Sequence, residues 1–177
     1  MLHQVQLLLL GLIDMIQHKI IQIAAKEIGQ TEKPANSNRT KYGKWAKLDG
    51  VAWCGIFLSW VYAQAGVPLP KIGFSFPGFA GTQTAMAQLK KWGKIVQQPE
   101  PGDIVFFDWN NDKRVDHVGI VVQLLSNGTL TTIEGNTSAT NQSNGGNVER
   151  RTRNLKHCIF VRPFALFSDS SQKNINR

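Results

Sequence analysis

Cys54 lies in the run Asp49-Gly50-Val51-Ala52-Trp53-Cys54-Gly55-Ile56-Phe57, where a turn signal gives way to a helical pattern. A thiol at the start of a helix meets unpaired backbone N–H groups and the positive end of the helix dipole. Both favour the thiolate, which is the nucleophilic form of cysteine. The same N–H groups can hold the oxyanion that forms when a carbonyl is attacked. Taken alone, Cys54 reads more readily as a buried structural residue. His117 alters that reading. It opens an apolar strand, Asp116-His117-Val118-Gly119-Ile120-Val121-Val122, from which an imidazole can lean toward the cysteine and take its proton. Such an imidazole needs a third group to fix its tautomer and orientation. Glu134 and Asn136, in Thr132-Ile133-Glu134-Gly135-Asn136, are the candidates. A hairpin turn at Asn127-Gly128 lays their strand beside that of His117. The other histidines, His3, His18 and His157, lack a comparable setting.

The elements that must position these residues follow from periodicity. Leu9, Leu12, Ile16, Ile20 and Ile23 recur every three or four residues, which predicts helix over 1–29, with a break after a short N-terminal piece. Residues 30–50 read as a polar connection. A second helix is expected from Cys54 to Ala65, with Trp53, Ile56, Phe57, Trp60 and Val61 as its buried stripe and Gly66 as its stop. Pro68, Pro70, Gly73, Pro77 and Gly78 mark a long loop, and a third helix covers Thr82 to Lys91. Strands are expected at Asp103–Trp109, Val115–Leu125, Thr129–Glu134, Asn147–Thr152 and Cys158–Arg162. Helices first and strands after predict an α+β domain, with the helices packed on one antiparallel sheet of about five to six strands.

Composition sets the outer limits. A chain of 177 residues with 42% hydrophobic and 18% charged residues is globular and of single-domain size. Twenty Lys and Arg against 12 Asp and Glu give a net charge of +8, which favours polyanionic partners or simply solubility. The positive residues are spread, apart from Arg150, Arg151 and Arg153, and no nucleic-acid motif is present, so nucleic acid is not expected as a partner. Cys54 and Cys158 differ in setting. Cys158, inside an apolar strand, reads as an inert core thiol rather than a disulfide partner. The apolar run Leu7–Leu10 lacks a basic segment before it and a cleavage site after it. It reads as neither a signal peptide nor a membrane span, so no membrane partner is expected.

Four segments together resemble the CHAP family, the cysteine, histidine-dependent amidohydrolases/peptidases. They are the run around Cys54, then Pro101-Gly102-Asp103-Ile104-Val105-Phe106-Phe107, then the His117 run, and finally Ile133-Glu134-Gly135-Asn136. The resemblance extends from about residue 18 to 164. It implies a papain-like fold, with 1–17 as a helical extension, 18–166 as the catalytic domain and 167–177 as a polar tail. It implies Cys54 as nucleophile, His117 as base, Glu134 as the group that orients the imidazole and Asn136 as a supporting polar residue. It further implies a monomer that hydrolyses an amide of bacterial peptidoglycan without a cofactor. Family members serve as phage endolysins, autolysins or antibacterial effectors, the last needing a delivery machine and a cognate immunity protein. A wall-binding module that has lost catalysis is the alternative. Without a signal peptide, the protein would be made in the cytoplasm and act at the wall after release or delivery. Some phage relatives hold calcium near the nucleophile. Here only Asp49 lies nearby, so no metal is expected there, and the loop of Asp108, Asn110, Asn111 and Asp112 reads as a solvated turn. Trp53, Trp109 and Phe76 are the aromatic candidates for substrate contact, with core packing the favoured reading for Trp53. Asp116 is placed either to bind an amine of the stem peptide or to cap a turn.

Overall fold

Four helices precede six strands in the computed structural model, which describes residues 2–163. The helices are α1 (Leu2–Lys26), α2 (Lys41–Ala46), α3 (Cys54–Ala65) and α4 (Thr82–Trp92). The strands are β1 (Lys94–Val96), β2 (Ile104–Phe107), β3 (His117–Leu124), β4 (Thr129–Thr137), β5 (Asn147–Asn154) and β6 (Cys158–Arg162). All pair antiparallel, in the order β1-β6-β2-β3-β4-β5. This is the expected α+β architecture. The polar tail expected at 167–177 lies outside the described residues.

Three departures from the sequence reading have physical causes. First, α1 is one unbroken helix, and the domain boundary expected at residue 17 falls inside it. Ile13, Gln17, Ile20 and Ala24, spaced four, three and four apart, bury one stripe, while Val5, Leu7, Leu8, Leu10, Leu12 and Met15 are exposed. Its span His3–Lys26 is long and apolar enough to cross a membrane, by length and composition alone. That corrects the expectation of a run too short to do so, because the flanking residues extend the apolar stretch well past Leu7–Leu10. Second, α2 forms inside the stretch read as a polar connection. Thr40 caps it, its hydroxyl accepting from the Gly43 N–H at 3.0 Å, and Lys47 ends it in a left-handed conformation. Third, β1 adds a short strand at the edge, paired with β6.

The sheet has two faces with different company. Ile104, Phe106, Val118, Ile120 and Ile133 join the core beneath the helices. Val105, Phe107, Val121, Leu130 and Phe160 form a second cluster, with Trp109 packed against it. The strand period of two therefore assigns His117, Gly119, Thr132 and Glu134 to the face away from the helices. The hairpin turn between β3 and β4 lies at Asn127-Gly128 as expected, with Gly128 at φ +74°.

Candidate active site

Cys54 is the first residue of α3. Trp53 occupies the N-cap position, and its side chain makes no capping hydrogen bond. The first intrahelical bond runs from the Phe57 N–H to the Trp53 carbonyl at 2.8 Å. The N–H groups of Cys54, Gly55 and Ile56 precede it, as the donors that a helix start leaves over. α3 begins at the end of the sheet where β4 carries Gly135. A Cβ on Gly135 would stand 2.6 Å from the Phe57 Cβ and 2.8 Å from the Trp53 ring. That close approach of strand to helix brings the start of α3 level with Glu134.

His117, the first residue of β3, is fully buried. Its Nε2 lies 3.1 Å from Glu134 Oε2. Its Nδ1 has no hydrogen bond of normal geometry among the described residues. Cys54 nevertheless lies near enough to act on the ring through charge and hydrogen bonding. Burial disfavours the imidazolium, but Cys54 and then Glu134 outweigh it, and the His117 pKa is pushed up to about 9. The ring is also held in plane. Phe107 stacks beside it at 5.9 Å between centroids and Trp109 at 5.6 Å.

Glu134 reaches His117 across Gly119. A Cβ on Gly119 would stand 2.7 Å from the Glu134 Cγ, so only glycine leaves the carboxylate its path. Both carboxylate oxygens are held by protein donors. Oε1 accepts from the Thr132 hydroxyl at 2.5 Å and from Arg153 Nε at 2.8 Å. Oε2 accepts from an Arg153 terminal nitrogen at 2.5 Å in addition to His117. Burial pushes the Glu134 pKa upward, yet hydrogen bonds from Arg153 and His117, together with their charges, hold it at about 2. Imidazolium and carboxylate are thus both charged at neutral pH.

The structure brings Cys54, His117 and Glu134 together. Asn136 is close in sequence but bonds elsewhere. It is buried at φ +60°, and its amide donates to Asn144 Oδ1 at 2.9 Å. Its own Oδ1 has no hydrogen-bond partner among the described residues. Trp53, named as a substrate contact, is 0% exposed, and its indole N–H donates to Glu32 Oε1 at 2.9 Å. It is a core residue, because the N-cap position turns its ring inward onto Tyr42 and Phe57. Phe76 is 6% exposed, edge-on to Trp45 and stacked on Phe74, so its ring is occupied by the core as well. Trp109 remains half-buried beside His117. Asp116 is exposed, and its carboxylate accepts from the Trp109 N–H at 3.0 Å, which fixes the turn before β3. In the loop that follows β2, Asp108, Asn110 and Asp112 each accept one of that loop's own N–H groups through a side-chain oxygen, while Asp108 Oδ1 has no hydrogen-bond partner among the described residues. Cys158 is half-buried and free; burial first, then the charge of Glu134, pushes its thiol up to about 12. Sequence reasoning did not name Arg153 or Thr132 for the site. Arg153 stood out only as part of a basic cluster, and no local pattern marks it as buried.

A family model of the CHAP domain matches residues 46–136. No curated protein sequence matches the chain significantly. Among solved structures, the chain is similar to an N-acetylmuramoyl-L-alanine amidase from Staphylococcus aureus, with 15% identity and a TM-score of 0.36. That match covers 48% of this chain and spans 24% of the length of the other. The family match takes in Cys54, His117, Glu134 and Asn136 and runs over just over half of the residues, and on it the chain belongs to the CHAP domain family.

Proposed function

We propose that this protein hydrolyses an amide bond of bacterial peptidoglycan through a thioester on Cys54. The observation that carries the reading is the divided imidazole of His117. One nitrogen is fixed on an ionised carboxylate, and the other, free of ordinary hydrogen bonds among the described residues, is left to Cys54. A structural histidine buried this deeply has both nitrogens satisfied far more often.

The cycle balances without a cofactor. His117, its pKa pushed up to about 9, carries a proton at neutral pH beside Cys54. The Cys54 thiolate adds to the substrate carbonyl carbon, and the N–H groups at the start of α3 hold the oxyanion. Collapse breaks the C–N bond while His117 gives its proton to the leaving amine. Neutral His117 then takes a proton from water. The resulting hydroxide attacks the thioester, a carboxylic acid leaves, and the thiolate–imidazolium pair is restored. Glu134 keeps its charge throughout and steadies the ring.

The same chemistry would serve a phage endolysin, an autolysin or an antibacterial effector. It would act on the stem peptide, the cross-bridge or the glycan–peptide amide. Mass spectrometry of fragments released from purified walls identifies the bond. The test of the reading is Cys54→Ala. Soluble fragment release should fall to background while the thermal melt stays within a few degrees of wild type, since a small, buried side chain is shortened by one atom. Release at the native rate would exclude Cys54 as nucleophile.

A further inference from the structure

We infer that Arg153, which reaches the site from β5, is a positioning residue for the reaction: it holds the Glu134 carboxylate ionised and aimed at His117. The inference rests on the Cys54–His117 reading above and extends it by one link.

Arg153 is 7% exposed and grips Glu134 with two nitrogens, one on each carboxylate oxygen. This forked contact fixes the carboxylate plane as well as its charge, which a lysine could not do. The guanidinium is itself held on three further sides. It lies 5.2 Å over the Phe107 ring and 5.4 Å over the Trp109 ring, the same two rings that flank His117. Its third nitrogen donates to Gln142, in the loop after β4. Beside Cys54, the buried His117, Glu134 and Arg153 thus form a string of alternating charge, with aromatic rings along its side.

The string explains how a buried carboxylate can serve the imidazole without taking its proton. Glu134 alone beside His117 would be driven toward the neutral acid by burial. It would then either claim the imidazole proton or cease to orient the ring. Paired with Arg153 it remains a weak base, so the proton stays on His117 for delivery to the leaving amine. Among the described residues the hydrogen bonds of Arg153 go to Glu134 and Gln142, not to the sulfur or the imidazole, so its polar route to the imidazole runs through Glu134.

That route of action sets the test. Hydrolysis of purified peptidoglycan is measured from pH 4 to 9 in wild type, Arg153→Gln, Glu134→Gln and the double variant, with Cys54→Ala as control. Removing the guanidinium lets burial raise the carboxylate pKa. Wild type should show no acid limb from Glu134 above pH 4, because the carboxylate stays ionised there, and Arg153→Gln should bring one into the measured range, with a tenfold loss per pH unit below it. In the Glu134→Gln background, Arg153→Gln should cost less than about threefold, because residues that act through one another are not additive. A purely structural arginine would lower the rate equally at every pH and multiply with Glu134→Gln, and either result overturns the inference. If Arg153→Gln does not fold, Arg153→Lys decides. It keeps the charge but not the fork, so the rate should fall in the wild-type background and by less than about threefold in the Glu134→Gln background; an unchanged rate, or a loss that multiplies with Glu134→Gln, overturns the inference. Activity surviving in Cys54→Ala would instead sink the underlying reading, whatever Arg153 does.

Discussion

At the scale of residues, Glu134 and His117 make opposite demands on pH. Glu134 has its folded pKa depressed to about 2 from 4.5. The stability it contributes is therefore present above about pH 4.5 and lost as pH falls through 2. The size is on the order of 3 kcal/mol, because each tenfold change in proton affinity between the folded and unfolded chain is worth about 1.4 kcal/mol. Urea unfolding of wild type and Glu134→Gln should show a gap that is full at pH 6 and narrows steadily below pH 4.5. A gap that stays constant down to pH 3 would contradict an ionised Glu134. His117 is raised to about 9 from 6.5, so its own share is present below pH 6.5 and fades as pH rises through 9. The window in which both hold lies between about pH 4.5 and 6.5. Cys54, His117 and Glu134 were legible in the sequence because each sits in a short motif with a turn or strand start beside it. Arg153 was not legible. It is 19 residues from Glu134 and one strand away, and its burial depends on the β4–β5 pairing that sets Leu130 opposite it. Phe76 failed as a cleft residue for a related reason: residue type does not say which way a ring turns, and the core claimed it, whereas Trp53 lies in the core as its place on the α3 stripe implied.

At the scale of elements, the site depends on two glycines that leave room for neighbouring side chains against the strands. Gly119→Ala would put a methyl group 2.7 Å from the Glu134 side chain. The carboxylate would have to move, so fragment release should fall at least tenfold, as displacement of a reacting group by about an ångström does. The far-ultraviolet spectrum should not change. Gly135→Ala meets the Phe57 Cβ and the Trp53 ring, both rigid core atoms, and should destabilise the fold by about 1–3 kcal/mol in urea titration. Wild-type stability in that variant would mean that β4 does not press on α3 as described. The long elements were legible from periodicity: α3, α4 and the strands from β2 to β6 fall within a few residues of expectation. The short ones were not. Six-residue α2 carries Gly43 in its middle, and three-residue β1 is too brief to show alternation. Tertiary packing makes both, and packing is what a local pattern lacks.

At the scale of the whole molecule, the net charge of +8 and the exposed apolar end of α1 are the features outside the site. Cosedimentation of the Cys54→Ala protein with intact, anionic walls should weaken markedly between about 50 mM and 500 mM salt, as contacts between exposed charges are screened within a few ångströms at high ionic strength. Binding indifferent to salt would show that charge has no part in wall recognition. The order of helices before strands disclosed the α+β class, but the unbroken course of α1 depended on the core stripe of Ile13, Gln17, Ile20 and Ala24 continuing the apolar N-terminal turns without a break. Everything proposed for this fold serves one pairing, that of Cys54 with His117. Its most direct measurement is the pH dependence of Cys54 alkylation by iodoacetamide, the labelled residue being identified by mass spectrometry so that Cys158 is not counted. Wild type should react rapidly at neutral and mildly acidic pH, and His117→Ala should react only as pH approaches about 8.5, as an ordinary thiol does. Superimposable profiles for the two proteins would contradict the pairing.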